Sequence, residues 1–222
     1  MKVEYIYHSG FTIEADDYFL VFDYYRGDIT LKDKKIIVFS THKHHDHYNP
    51  KILTWKKNYP DISYVLSSDI DVSPSKNIYK IDPYEELKLQ DVAIKAFGST
   101  DLGVSLLIKL EDKNIFFAGD LNWWHWEEDF PEDQLKEEKD FKDEVSKIIG
   151  ERIDVAFFPV DPRLEDAFYL GAQYFIEKLK PKIFFPMHFG DKYEIIPKLI
   201  NKINDNTVDI VKIKKKNQVF IV

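Results

Sequence analysis

The chain has 222 residues, with 31 Lys and Arg against 39 Asp and Glu, a net charge of −8 and no cysteine. That balance argues against an extended nucleic-acid surface, which needs clustered basic side chains, and the absence of cysteine excludes disulfides and thiolate metal ligands. Hydrophobic residues at 44% and aromatics at 15% describe a globular chain, not a disordered one, and no stretch approaches the ~20 apolar residues of a membrane span.

Residues 2–7, 11–14 and 18–23 read as strands around His8-Ser9-Gly10 and a turn at Asp16-Asp17. The first of them starts without a signal-peptide pattern, so a cytoplasmic location is expected. Residues 35–39 form a short β-branched run, read as a buried strand. It leads into Ser40-Thr41-His42-Lys43-His44-His45-Asp46-His47-Tyr48-Asn49-Pro50, which holds four of the seven histidines. Imidazole and carboxylate are the common ligands of borderline divalent metals. On an extended backbone His42 and His44 point the same way and His45 points away. Asp46 and His47 then need a turn to reach the same pocket, and Tyr48-Asn49-Pro50 supplies turn residues. A merely solvated histidine-rich turn is the plain alternative, but ligand sites commonly form at strand ends in α/β proteins.

Residues 50–55 read as a helix with Pro50 in its first turn, ending near Tyr59-Pro60. A strand at 62–66 and a polar loop at 67–77 follow. Further strands are expected at 77–81, 86–89, 92–97, 104–110 and 115–118, with a tight turn at 111–114 between the last two. The stretch 127–144 is densely charged, and Leu135, Phe141, Val145 and Ile148 keep an approximate helical spacing, which predicts an amphipathic surface helix. Residues 153–160 are strand-like and run into Asp161-Pro162-Arg163. Residues 166–179 read as a helix with Phe168, Ala172, Phe175 and Leu179 on one side. A strand at 182–186 leads into Met187-His188, a helix at 193–203 carries Pro197 in its first turn or at a kink, and strands at 208–212 and 218–222 close the chain. Pattern alone gives α/β or α+β.

His42-Lys43-His44-His45-Asp46-His47 fits the HxHxDH signature, and through it the chain resembles the metallo-β-lactamase fold superfamily. The resemblance implies a single domain over residues 1–222, built as a four-layer αββα sandwich of two mixed sheets with helices outside and a site along one edge. It also implies a metal-bridging role for Asp120, in the Gly119-Asp120 step after an apolar strand, and a last-ligand role for His188. By themselves these two would read as a turn aspartate and a structural histidine. One loop departs from the family pattern. Many members carry a third histidine in a GHTxGS-like loop, whereas here it reads Phe97-Gly98-Ser99-Thr100-Asp101-Leu102-Gly103-Val104-Ser105. Asp101 or water would take that place, or Asp101 is only a turn residue. The departure argues against glyoxalase II-like and class B β-lactamase readings. His8-Ser9-Gly10-Phe11 resembles the start of small cytoplasmic members of the "beta-lactamase superfamily domain" type, similar to the ascorbate-6-phosphate lactonase type.

The resemblance implies two divalent ions, one on His42 and His44, the other on Asp46, His47 and His188, with Asp120 bridging. Zinc is expected first, with manganese or iron admitted by an oxygen-rich site. A shared water, its pKa lowered from about 16 to near neutrality, would attack a carbonyl or phosphoryl centre. Asp46 and His125 are the candidate catalytic side chains. His125, among Trp123, Trp124 and Trp126, would protonate a leaving group or is simply packed. His8 and Arg163 are further candidates; the guanidinium would anchor a substrate anion or pair with Asp161 or Glu165. The expected function is a metal-dependent hydrolase of a small ester, lactone or phosphoester, with no membrane partner and nucleic acid disfavoured. A nuclease or phosphodiesterase, and a non-catalytic metal-binding protein with an incomplete site, are the rival readings. Oligomeric state is not fixed.

Overall fold

The computed structural model describes residues 1–203, 205 and 207–222. Strands β1 (Lys2–Tyr7), β2 (Gly10–Glu14), β3 (Tyr18–Phe22), β4 (Lys35–Ser40), β5 (Ser63–Ser67) and β6 (Ile78–Ile81) join the last strand in a seven-stranded sheet. The second seven-stranded sheet is built from β7 (Glu86–Leu89), β8 (Val92–Phe97), β9 (Ser105–Leu110), β10 (Lys113–Phe117), β11 (Val155–Pro159), β12 (Ile183–Met187) and β13 (Asp209–Ile210). The last strand, β14 (Gln218–Ile221), returns to the first sheet, whose order is β14-β1-β2-β3-β4-β5-β6; the second runs β13-β12-β11-β10-β9-β8-β7. Both are mixed: β3 through β6 and β10 through β13 are parallel, and the other pairs are antiparallel.

Period-two alternation places the strands. In β3, Leu20 and Phe22 face the second sheet while Phe19 and Val21 face outward, and in β4 Ile37 and Phe39 face in while Ile36 and Val38 face out. Both faces are therefore buried, as parallel strands require. Phe22 stacks on Phe39 at 4.8 Å and on Phe117 of the opposite sheet at 4.7 Å. Each such fully buried ring stabilises the sandwich by roughly 2–3 kcal/mol. Helices α1 (Pro131–Ser146), α2 (Leu170–Leu179) and α3 (Ile195–Ile203) contribute Phe141, Phe175 and Leu199 to this large core. The outer face of the first sheet is covered by the 3-10 helix Pro50–Lys57 and loops, through Ile52 and Trp55. The four-layer αββα expectation therefore holds, with its thin outer layer on the first sheet. No described helix is long and apolar enough to cross a membrane.

Four local expectations need correction. The turn after β9 is only Glu111-Asp112, with Glu111 at φ 53°, and Lys113 and Asn114 already pair in β10. Leu135 is 66% exposed, so the buried stripe of this helical region is Phe141, Val145 and Ile148. The expected 166–179 helix is broken: a 3-10 segment Pro162–Ala167 with Glu165 at φ 48° precedes α2. The expected strand 208–212 shrinks to Asp209–Ile210, the two residues in register with Ile183 and Phe184 of β12, beyond which Val211 adds a single N–H to Phe184 O at 2.9 Å.

Candidate metal centre

The candidate side chains lie just beyond strand ends: His8 after β1, Asp23 after β3, His42 after β4, Asp120 after β10, Asp161 after β11 and His188 after β12. Parallel strands bring their carboxyl ends to one edge. Thr41 ties the halves of this edge together. Its carbonyl accepts from Val104 N–H at 3.0 Å, so loop 97–105 lies against the histidine segment. Gly103, at φ 72°, allows that approach, because a Cβ there would overlap the Thr41 carbonyl oxygen. The turn expected after His44 forms: both His47 and Tyr48 N–H donate to His44 O, at 3.0 and 2.9 Å.

Two sets of ligand atoms result, each with members within 4.8 Å of one another: His8, Asp46, His47 and His188, and His42, His44, Asp101 and Asp120. Asp120 joins them. Its Oδ1 lies 3.1 Å from His47 Nε2 and 3.4 Å from His188 Nε2, while its Oδ2 lies 3.4 Å from His42 Nε2. These approaches lack hydrogen-bonding geometry. His8, His42, His47 and His188 Nε2 and Asp120 Oδ1 are all buried without a hydrogen-bond partner. A buried polar atom left so costs roughly 1–3 kcal/mol. Several converging on one point, all of them imidazole nitrogen or carboxylate oxygen, fit divalent cations.

The other face of two rings is fixed by buried carboxylates. His47 Nδ1 meets Asp23 Oδ2 at 2.7 Å, and His188 Nδ1 meets Asp161 Oδ2 at 2.9 Å. Such outer partners set the ring tautomer and raise its basicity toward a metal. Asp23 also accepts from Thr41 N–H at 2.8 Å and Thr41 Oγ1 at 2.7 Å. Burial opposes charge on His47, but Asp120 and Asp23 outweigh it and hold its pKa well above the usual histidine range. Burial likewise opposes charge on Asp120, yet His47 and His188 hold its carboxyl well below the usual carboxylate range. Against burial, His188 and Arg163 bring Asp161 down to about 2. The pocket is thus arranged around alternating charge. His8, Asp23 and His188 all adopt left-handed backbone, at φ 59°, 41° and 66°. Each costs on the order of 1–3 kcal/mol, a strain that concentrates at functional sites.

A cleft of about 600 Å³ opens onto the site. His44, Asp46, Asp101, Asp120, Arg163 and His188 line it together with Trp124, Trp126, Asp129 and Glu137. Trp124 stacks on Trp126 at 6.0 Å, meets His188 edge-on at 5.6 Å and donates its Nε1–H to Asp120 O at 3.0 Å. Asp101 Oδ2 sits 3.3 Å from His44 Nδ1. Arg163 reaches the cleft but gives Nε–H and Nη2–H to Asp161, at 2.9 and 2.5 Å. His125 is outside the cleft lining, its Nδ1 buried without a partner. His45 is exposed at the rim of the cleft; the backbone from His42 to His47 runs through bends and a turn, so the alternation of an extended strand does not apply there. Asp23 was not foreseen as a site residue, and Asp161 was foreseen only as a partner of Arg163. The available signal was their position: each is an acid directly beyond a buried apolar run.

Comparison with known proteins adds three findings. The family model described as "Beta-lactamase superfamily domain" matches residues 2–129, more than half of the 222-residue chain. The UPF0173 metal-dependent hydrolase YtkL of Bacillus subtilis (strain 168) is 26% identical over 218 residues, covering 86% of each chain. Two solved structures share the fold. One is the metallo-β-lactamase fold protein YhfI of Bacillus subtilis, with TM-score 0.66 and 15% identity over 99% of this chain and 98% of that one. The other is Igni18, a metallo hydrolase of Ignicoccus hospitalis, with TM-score 0.62 and 16% identity over 100% of this chain and 98% of that one.

Proposed function

The chain belongs to the beta-lactamase superfamily domain family, and from that premise we propose a metal-dependent hydrolase that works with two divalent cations at the strand-end site. The single observation that carries this reading is Asp120, which turns one carboxylate oxygen toward each ligand set. In this reading His42 and His44 would hold one cation, Asp46, His47 and His188 would hold the other, and Asp120 would offer a carboxylate oxygen to each. Zinc suits the imidazole-rich donors, with manganese or iron as alternatives. Such a pair supplies an activated water near neutral pH and a Lewis acid for the substrate oxygen.

The chain's own residues do the rest. Asp23 and Asp161 hold the His47 and His188 rings, so their Nε2 atoms stay aimed at the reacting centre. Trp124 and Trp126 wall the cleft and exclude water beside His188. Asp46 faces the cleft as an ionised group: burial opposes this, but His8, His47 and His188 keep its carboxyl below the usual range. His125 would protonate a leaving group only if it turned toward the cleft.

The substrate is a small ester or lactone, with a phosphoester as second choice. Asp129 and Glu137 add negative charge to the cleft wall, and Arg163, its one lining Lys or Arg, is already engaged by Asp161. That wall disfavours long polyanions, which weakens the nuclease alternative. The non-catalytic alternative is weakened, because His42, His44, Asp101 and Asp120 keep four candidate donor atoms within 4.8 Å of one another without the absent imidazole. Cytoplasmic action is part of the same proposal, and cell fractionation checks it. The test of function is turnover on a panel of esters, lactones and phosphodiesters, before and after chelation and metal return. Activity should disappear with the metal, return with it, and be absent from His47→Ala. Turnover that survives both changes would sink the proposal.

A further inference from the structure

We infer that the two ligand sets are unequal metal sites: a tight, nitrogen-rich one with His8 as a ligand, and a weaker, oxygen-richer one with Asp101 as a ligand. The inference rests on the proposed binding of two cations and assigns two residues that reading leaves free.

His8 is built into its place. Its N–H donates to Tyr5 Oη at 2.9 Å, and its carbonyl accepts from His188 N–H at 3.1 Å. Those two bonds hold a left-handed residue at the end of β1. The ring centre lies 4.0 Å from that of His188, and Nε2 lies 3.4 Å from Asp46 Oδ2. That Nε2 is buried and finds no hydrogen-bond partner. With His47 and His188 it gives the inner set three imidazoles, joined by Asp46 and one oxygen of Asp120.

The outer set has His42 and His44 with two carboxylates, Asp101 and Asp120. An imidazole has in effect moved from one set to the other. Exposure differs most at the residues that distinguish the sets: His8, His47 and His188 are 15%, 0% and 2% exposed and Asp46 27%, whereas His44 and Asp101 are 41% and 39% exposed beside a buried His42. Imidazole-rich donors favour zinc, and carboxylate-rich donors favour harder ions such as manganese. Open ligands also compete with water and lose more side-chain entropy when they close on an ion.

The experiment is zinc retention by the full chain, read as zinc per chain by elemental analysis after dialysis against a graded competing chelator. The wild-type protein should lose one equivalent early and keep the other. Asp101→His should keep both, and Asp101→Ala should lose the early equivalent more readily while the tight one is unchanged. His8→Asn removes the imidazole but tolerates the left-handed backbone, and it should release the tight equivalent at about tenfold less chelator or lower. Circular dichroism confirms the fold of each variant. Simultaneous release of both equivalents from the wild type, or an unchanged tight equivalent in folded His8→Asn, overturns the inference and leaves the two-cation reading standing. No zinc bound under any condition overturns that reading as well.

Discussion

The buried and the open halves of this site are constructed differently. His47 and His188 have side-chain exposures of 0% and 2%, and each leans its Nδ1 on a buried carboxylate at 2.7 or 2.9 Å. His44 and Asp101 are 41% and 39% exposed and have chiefly each other, at 3.3 Å. The buried half is fixed before any ligand arrives, by strand ends, carboxylate braces and strained backbone. The open half borders the cleft and can yield to a substrate. Rigidity and access are thus divided between the two sides of Asp120.

Removing Asp120 strikes both halves at once. Asp120→Ala should lower turnover by more than the ~100-fold that marks the upper end for outer partners of metal ligands; steady-state kinetics checks this, and a loss under tenfold would remove the bridge from the account. Next come the braces of the buried half. Asp23→Asn and Asp161→Asn should each cost about 10–100-fold in metal affinity or turnover, measured by metal titration. An equal loss from Lys43→Ala, on the open side, would erase the distinction between halves.

The smallest effect lies away from both halves. Asp154 is buried and accepts from Asn114 N–H, Arg152 and Lys182 at 2.7–3.0 Å. Burial opposes its charge, but these donors bring its carboxyl down to about 2. The unfolded value is about 3.9, so this stabilisation is present above that pH and fades as pH falls toward 2. Arg152 and Lys182 are 62% and 65% exposed, which screens the gain to about 1–2 kcal/mol. Asp154→Asn should lower Tm near neutral pH, flatten its fall below pH 4 and leave turnover unchanged. A loss of turnover instead would tie Asp154 to the site.

The dense parts of the site were legible before any fold was known. His42, His44, Asp46 and His47 fall within six residues, and the strand before them carries the unbroken apolar run Ile36-Ile37-Val38-Phe39. Asp120 and His188 stood out only through the family resemblance, since an acid or a histidine after a strand has ordinary explanations. Asp23 as the brace of His47, and Asp161 as the brace of His188, could not be read, because each contact joins residues 24 and 27 positions apart. His8 is a lone histidine until β1 and β12 bring it to His188. Helical spacing also placed Leu135 in the core, but it lies in the early part of α1, before the buried stripe of Phe141 and Val145 begins.

Anomalous diffraction at the zinc edge from crystals of the zinc-loaded protein tests the central claim most directly. Two peaks should appear on either side of Asp120, one against His42 and His44, the other against Asp46, His47 and His188. Zinc bound elsewhere on the chain, with neither of those positions occupied, would contradict it.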